Sequence, residues 1–179
     1  MLSNGPHALD ERLTRSILER MVTGVTSCEL QNSPFPHFVF SSFVPNDVYA
    51  SLLTELPNKE CYEPFGYERH HNDTGDSNRF RFSLNRQSLD RLSSEQQRLW
   101  YAVRYAFGSK ELKTAVFKKL APGLRIRYGK AIKNAAELPG FALPELFRET
   151  DGYSIRGQET NAHHIELTGD RGVDHVKAR

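Results

Sequence analysis

NRFRFSLNRQSLDRLSSEQQRLWYAVRYAFGSKELKTAVFKKL, residues 78–120, holds one strand pattern and two helix patterns in a single run. That mixture decides the fold class. Arg79-Phe80-Arg81-Phe82-Ser83-Leu84 alternates polar and apolar side chains, the period of a strand with one buried face. Ser93 and Gln96 then stand at capping-box spacing, with the serine at the cap and the glutamine three residues on. Leu99, Val103, Ala106 and Phe107 follow as a helical stripe. Ser109 is placed to cap a second helix over 110–120, with Leu112, Val116, Phe117 and Leu120 on its inner side. A strand followed by a helical pair predicts an α+β fold.

Upstream, Ala8 to Val25 carries Leu9, Leu13, Ile17, Leu18, Met21 and Val22 at the spacing of one helix face. Pro34 and Pro36 hold the next segment extended, and Phe38-Val39-Phe40 is a short β-prone run. Pro45-Asn46-Asp47 opens a helix over 48–56, which Pro57 ends. From Lys59 to Asn78 the chain is polar and loop-like. Downstream of Pro122-Gly123, Leu124, Ile126 and Tyr128 alternate with Arg125 and Arg127, which predicts a strand. Leu146-Phe147-Arg148-Glu149 and Tyr153-Ser154-Ile155-Arg156 read as two more, around a turn at Thr150-Asp151-Gly152. The stretch from Gln158 to Arg179 has no aromatic residue and few large apolar ones, so it buries little surface against the entropy of ordering it. The division expected is 1–157 as one domain part and 158–179 as a polar, loosely ordered tail.

The chain has 179 residues, 38% of them hydrophobic and 26% charged, the balance of a soluble globular domain. A net charge of +2, with basic residues interleaved among acids as in Lys110-Glu111-Leu112-Lys113, argues against nucleic acid and against an anionic membrane surface as partners. No apolar run approaches the ~18 residues of a membrane span. The first residues lack the apolar core of a signal peptide. Cys28 and Cys61 stand far apart and outside any CxxC pattern, as free thiols in a reducing compartment. A cytoplasmic protein is expected.

Three segments in order resemble one bacterial branch of the Fe(II)- and 2-oxoglutarate-dependent dioxygenases, related to prolyl hydroxylases. PFPHFVFSSFVPNDVYASLLTELP (34–57) is similar to the opening of that family, an extended lead-in, a strand and a supporting helix. Residues 78–120 are similar to the strand and helical pair that precede its barrel. LFRETDGYSIRG (146–157) looks like the strand leading into the iron site. The resemblance implies N-terminal helices packed on a double-stranded β-helix, or jelly roll, with Fe(II) and 2-oxoglutarate as cofactors. It also implies that Tyr153 helps to hold the cofactor, although the same residue reads equally as a core aromatic.

In that family the GYxI strand runs directly into His-x-Asp, because a histidine and a carboxylate two apart on a strand share a face and leave open positions on the iron. Here the two places hold Gln158 and Thr160. An amide and a hydroxyl are weak donors without charge. The stretch after Gly157 is also too short for the remaining strands of a jelly roll, at ~5–6 residues each. The expectation is therefore a truncated or degenerate member with little activity and an incomplete jelly roll. Its open sheet edges would favour self-association. A non-catalytic interaction module built from the helical half is the alternative.

Two other stretches offer metal-ligand types. His164-Ile165-Glu166 would place a histidine and a carboxylate on one face if the tail were a strand, with His175 nine residues beyond the histidine-glutamate pair. These two, His164 and Glu166, are the candidate metal ligands. His71 and Asp73 make another His-x-Asp, but in a Gly/Asn/Asp-rich loop, where a solvated turn is the plainer reading.

Overall fold

The computed structural model describes residues 9–64, 79–128, 145–150, 161–168 and 175–178, with side chains over 9–64 and 79–123. They form a mixed helix-and-strand protein: α1 (Glu11–Ser27), α2 (Asn46–Thr54), β1 (Glu63–Pro64), β2 (Arg79–Ser83), α3 (Arg86–Leu89), α4 (Ser94–Phe107), α5 (Lys110–Tyr128), β3 (Glu145–Thr150), β4 (Asn161–Thr168) and β5 (His175–Ala178).

α1 begins where Asp10 Oδ1 accepts a hydrogen bond from the Leu13 amide at 2.9 Å, satisfying one of the free donors of a helix start. It buries Ile17, Leu18, Met21 and Val25 against α4 and α5. α4 begins at the capping box read from the sequence. The Gln96 amide donates to Ser93 Oγ (3.2 Å), and the Ser93 amide donates to Gln96 Oε1 (3.1 Å). Its inner face supplies Leu99, Trp100, Val103 and Phe107 to the core, and Trp100 Nε1 donates to the Glu55 carbonyl at 2.8 Å. That bond ties α4 to the end of α2, which itself buries Val48 and Leu52. At the start of α5 the Leu112 amide donates to Ser109 Oγ (3.1 Å), the expected cap.

α5 does not stop at Pro122. The helix runs on to Tyr128, so the strand expected over 124–128 is corrected to helix. The apparent alternation there also fits the helical period, with Leu120, Leu124 and Tyr128 each four residues apart. Tertiary packing outweighs the roughly 3 kcal/mol that an interior proline costs.

Phe38-Val39-Phe40 is likewise not a strand. The only pairing there is one bridge between Gln31 and His37, closed by two amide–carbonyl bonds of 2.8 Å. Among the described residues no strand lies alongside to receive a ladder, and the aromatic rings find helices instead. Phe38 and Phe40 stack at 6.3 Å and pack against the core, while Val39 between them is 77% exposed. Gly24 of α1 makes this docking possible, since a Cβ there would collide with the Phe40 ring. Gly123 of α5 does the same for Pro36, whose ring carbon would lie 2.5 Å from an added Cβ.

The strands form one antiparallel sheet in chain order, β1-β2-β3-β4-β5. A second sheet facing it, as a jelly roll requires, is not found among the described residues. β4 and β5 fall within 158–179, the stretch read from the sequence as a polar tail, and both pair into the sheet. The strand expected over 153–156 lies outside the described residues.

Candidate functional site

The sheet has two unlike faces, and the register shows which residue belongs to which. Phe82 is opposite Leu146, Leu146 opposite Ile165, Ile165 opposite Ala178, and Leu167 opposite Val176. Residues directly opposite in antiparallel strands share a face, and neighbours along a strand alternate. One face therefore collects Phe80, Phe82, Leu146, Ile165, Leu167, Val176 and Ala178, with Arg148 and His163 paired opposite Phe80. Phe82 is 4% exposed and joins the helical core, with Tyr62 packed at 5.8 Å. A slip of one residue in β4 would send Ile165 and Leu167 to the other face and break this pattern.

The opposite face is mostly polar, with Phe147 and Ala162 as its apolar positions. One row across it runs Ser83, Glu145, Glu166, Lys177. The next row places His164 opposite Phe147, and the row beyond Glu166 in the other direction places Thr168 opposite His175. His164 and Glu166, the candidate ligands, are thus both on β4 and at positions of one face. Glu145 and Lys177, which the sequence reading did not single out, flank Glu166 on either side. The strand read from the sequence covers 146–149 and stops short of Glu145, and Lys177 falls in the stretch read as a tail. Which residue would sit opposite which depends on pairing that one strand's sequence does not encode.

A facial iron site needs a second histidine close to the His-x-carboxylate pair. His175 is opposite Thr168, four residues along from His164. That offset is about 13 Å along the strand and about 4.8 Å to the side, beyond what two imidazoles on one ion span. The residues at these register positions do not fit the two-histidine, one-carboxylate set. Tyr153, Gln158, Thr160, His71 and Asp73 lie outside the described residues. Among the described residues no group of three or more His, Cys, Asp or Glu side chains is assembled for a metal.

Ionic contacts in the helical layer join elements to one another. Arg98 on α4 donates to Asp10 Oδ2 at 2.9 Å and to Glu95 Oε1 at 2.6 Å. The Leu13 amide and Arg98 hold the Asp10 carboxyl below its usual range, and Arg98 does the same for Glu95. Arg15 of α1 reaches Glu111 of α5 at 3.3 Å. On the outer side of α4, Tyr101 and Tyr105 stack at 6.1 Å with the Arg104 guanidinium within 6 Å of both rings. The Tyr101 hydroxyl donates to Asp90 at 2.6 Å, and burial followed by that bond pushes its pKa up to about 12.

No protein-family model, curated protein or solved structure matches the chain. No helix among the described residues is long and apolar enough to cross a membrane.

Proposed function

We propose that this chain is a member of the Fe(II)/2-oxoglutarate oxygenase family that has lost the chemistry, with little or no turnover. The observation that carries this reading is Gln158 and Thr160 standing after Gly152-Tyr153-Ser154-Ile155-Arg156-Gly157, where the resemblance puts His and Asp. Two neutral oxygen donors do not anchor Fe(II). The order of elements supports the reading: a helix after the Pro-Phe-Pro-His segment, a strand, a capped helical pair and a further strand. Without the ligand pair neither iron nor 2-oxoglutarate has a defined seat, and the cofactor role that the resemblance implies for Tyr153 falls with it. Unbridged Cys28 and Cys61 support a reducing, cytoplasmic setting.

The test is anaerobic titration of the full chain with Fe(II) and 2-oxoglutarate, followed by a succinate assay in air. No coupled binding and no succinate are expected. Micromolar binding of both, with succinate formed, overturns the reading.

The proposal includes self-association through an edge of the sheet. Among the described residues β1 and β5 are its two edges, and β1 is protected by its length and by Pro64, which has no amide to donate. β5 is the edge left for a second copy. Sedimentation should show concentration-dependent dimers that Val176→Pro abolishes. A second reading, an interaction module working through the helical half, is favoured by Tyr49 and Leu53, one turn apart on α2 and 46% and 50% exposed. Association lost in Leu53→Glu but kept in Val176→Pro would select that reading instead.

A further inference from the structure

On the outer side of α4, Tyr101, Arg104 and Tyr105 form one cluster. The two rings stack at 6.1 Å, and the Arg104 guanidinium is 5.9 Å from the Tyr101 centroid and 5.7 Å from the Tyr105 centroid. Tyr105 is 48% exposed, while Tyr101 and Arg104 are half-buried. The Tyr101 hydroxyl donates to Asp90 Oδ1 at 2.6 Å, which fixes that ring and steadies the one stacked on it. A platform held in this way loses little freedom when a partner settles on it.

Among the described residues the Arg104 guanidinium has no carboxylate or carbonyl partner; its contacts are the two rings. Glu95, the only carboxylate in the α4 sequence, is bonded by Arg98. Asp90, the carboxylate that the cluster does contain, is divided between the Tyr101 hydroxyl on Oδ1 and Arg86, whose Nε is 3.5 Å from Oδ2. Burial and then Asp90 push the Tyr101 pKa up, and the cations opposing them are Arg104 and Arg86. Two guanidinium groups thus stand around one carboxylate that is already engaged. Arg104 keeps a fork of donors with nothing to receive them.

We propose that Tyr101, Arg104 and Tyr105 form a docking surface for an acidic segment of a partner protein. The Arg104 fork takes an aspartate or glutamate side chain through two parallel hydrogen bonds. An apolar neighbour of that residue lies on the exposed Tyr105 ring. Arginine and tyrosine are among the residue types that dominate binding energy at protein contacts. A guanidinium laid on aromatic rings is partly desolvated, which strengthens its pairing with a carboxylate. A nucleic-acid strand fits less well, since it brings a run of phosphates to a patch that also holds Asp90. The surface uses none of the residues on which the oxygenase and α2 readings rest.

The probe is a fluorescein-labelled peptide of glutamate and leucine, titrated with the full chain at about 0.1 M salt, where the Debye length is about 10 Å, and read by anisotropy. Micromolar binding is expected, and none of the same peptide with glutamine in place of glutamate. Arg104→Gln and Tyr105→Ala should each weaken binding at least tenfold while keeping the native circular dichroism. Arg104→Lys keeps the charge without the fork and should recover only part of the affinity. Arg15→Gln removes an arginine already paired with Glu19 and Glu111 and should leave binding unchanged, as should Leu53→Ala on α2. Absence of uptake overturns the proposal, as does equal uptake of the glutamine peptide or indifference to Arg104→Gln. Equal loss in Arg15→Gln also overturns it, since overall charge would then be what the peptide reads. Tighter binding of an oligothymidylate than of the acidic peptide would assign the cluster to nucleic acid instead.

Discussion

The helical layer and the sheet solve the same problem by different means. In the helical layer, side chains from distant parts of the chain interlock: the Phe40 ring seats on Gly24, Pro36 seats on Gly123, and Trp100 bonds the end of α2. In the sheet, from β2 onward, order comes from backbone pairing between successive segments and from a two-residue alternation. The first kind of order concentrates its free energy in a few large residues. The second spreads it along a register that a single misplaced charge can oppose. The sharpest test of the first kind is Trp100→Ala. Trp100 is 2% exposed, and its removal opens a cavity and strands the Glu55 carbonyl. A loss of about 3–5 kcal/mol is expected by urea denaturation, enough to unfold a marginal domain.

The matching test of the sheet compares adjacent residues of β4. Ile165→Lys puts a charge on the apolar face beside Leu146 and Ala178, whereas Glu166→Lys changes the polar face. The first should cost about 2 kcal/mol and the second under about 0.5 kcal/mol. Equal effects would show that the register is not the one described. Gly24→Ala returns to the helical layer with a smaller, two-sided effect. Alanine gains about 1 kcal/mol of helix propensity, but its methyl collides with the Phe40 ring, and overpacking costs about 1–3 kcal/mol. A net loss of about 1 kcal/mol is expected, and Phe40→Leu in the same chain should recover part of it.

These contrasts also explain what could be read from residues alone. α1, α2, α4 and β2 were legible because their signals are local: a cap, a stripe, a proline, an alternation. Ser93 and Gln96 announce the start of α4 whatever surrounds them. The end of α5 was not legible, because Pro122 is a local stop signal that distant packing overrides. Phe38-Val39-Phe40 misleads for the reverse reason, since its β-prone residues are real but the two rings serve docking on the helical core. The pairing of Glu145 with Glu166 was out of reach, because register is a relation between segments. His164 and Glu166 were visible as a pair, though only the placement of β4 sets them on one strand.

The smallest effect lies where the two ends of the helical layer meet, at Asp10. Its carboxylate both caps α1 and pairs with Arg98, and it is held below its ordinary range first by the Leu13 amide and then by Arg98. A depressed folded pKa gives stability that is present above the unfolded value, about 3.9, and is lost as pH falls through the folded one. Asp10→Asn keeps a good cap acceptor and removes the ion pair. At pH 7 it should cost well under 1 kcal/mol, because the pair is partly exposed: 42% for the Arg98 side chain and 29% for Asp10. Its signature is the slope: between pH 5 and 2 the variant should lose stability less steeply than the native chain. Raising the salt to about 1 M, where the Debye length is about 3 Å, should narrow the difference at pH 7. A native-like acid slope in Asp10→Asn would assign the acid sensitivity of this layer to Glu95 and its bond to Arg98, the other carboxylate held low at the same junction.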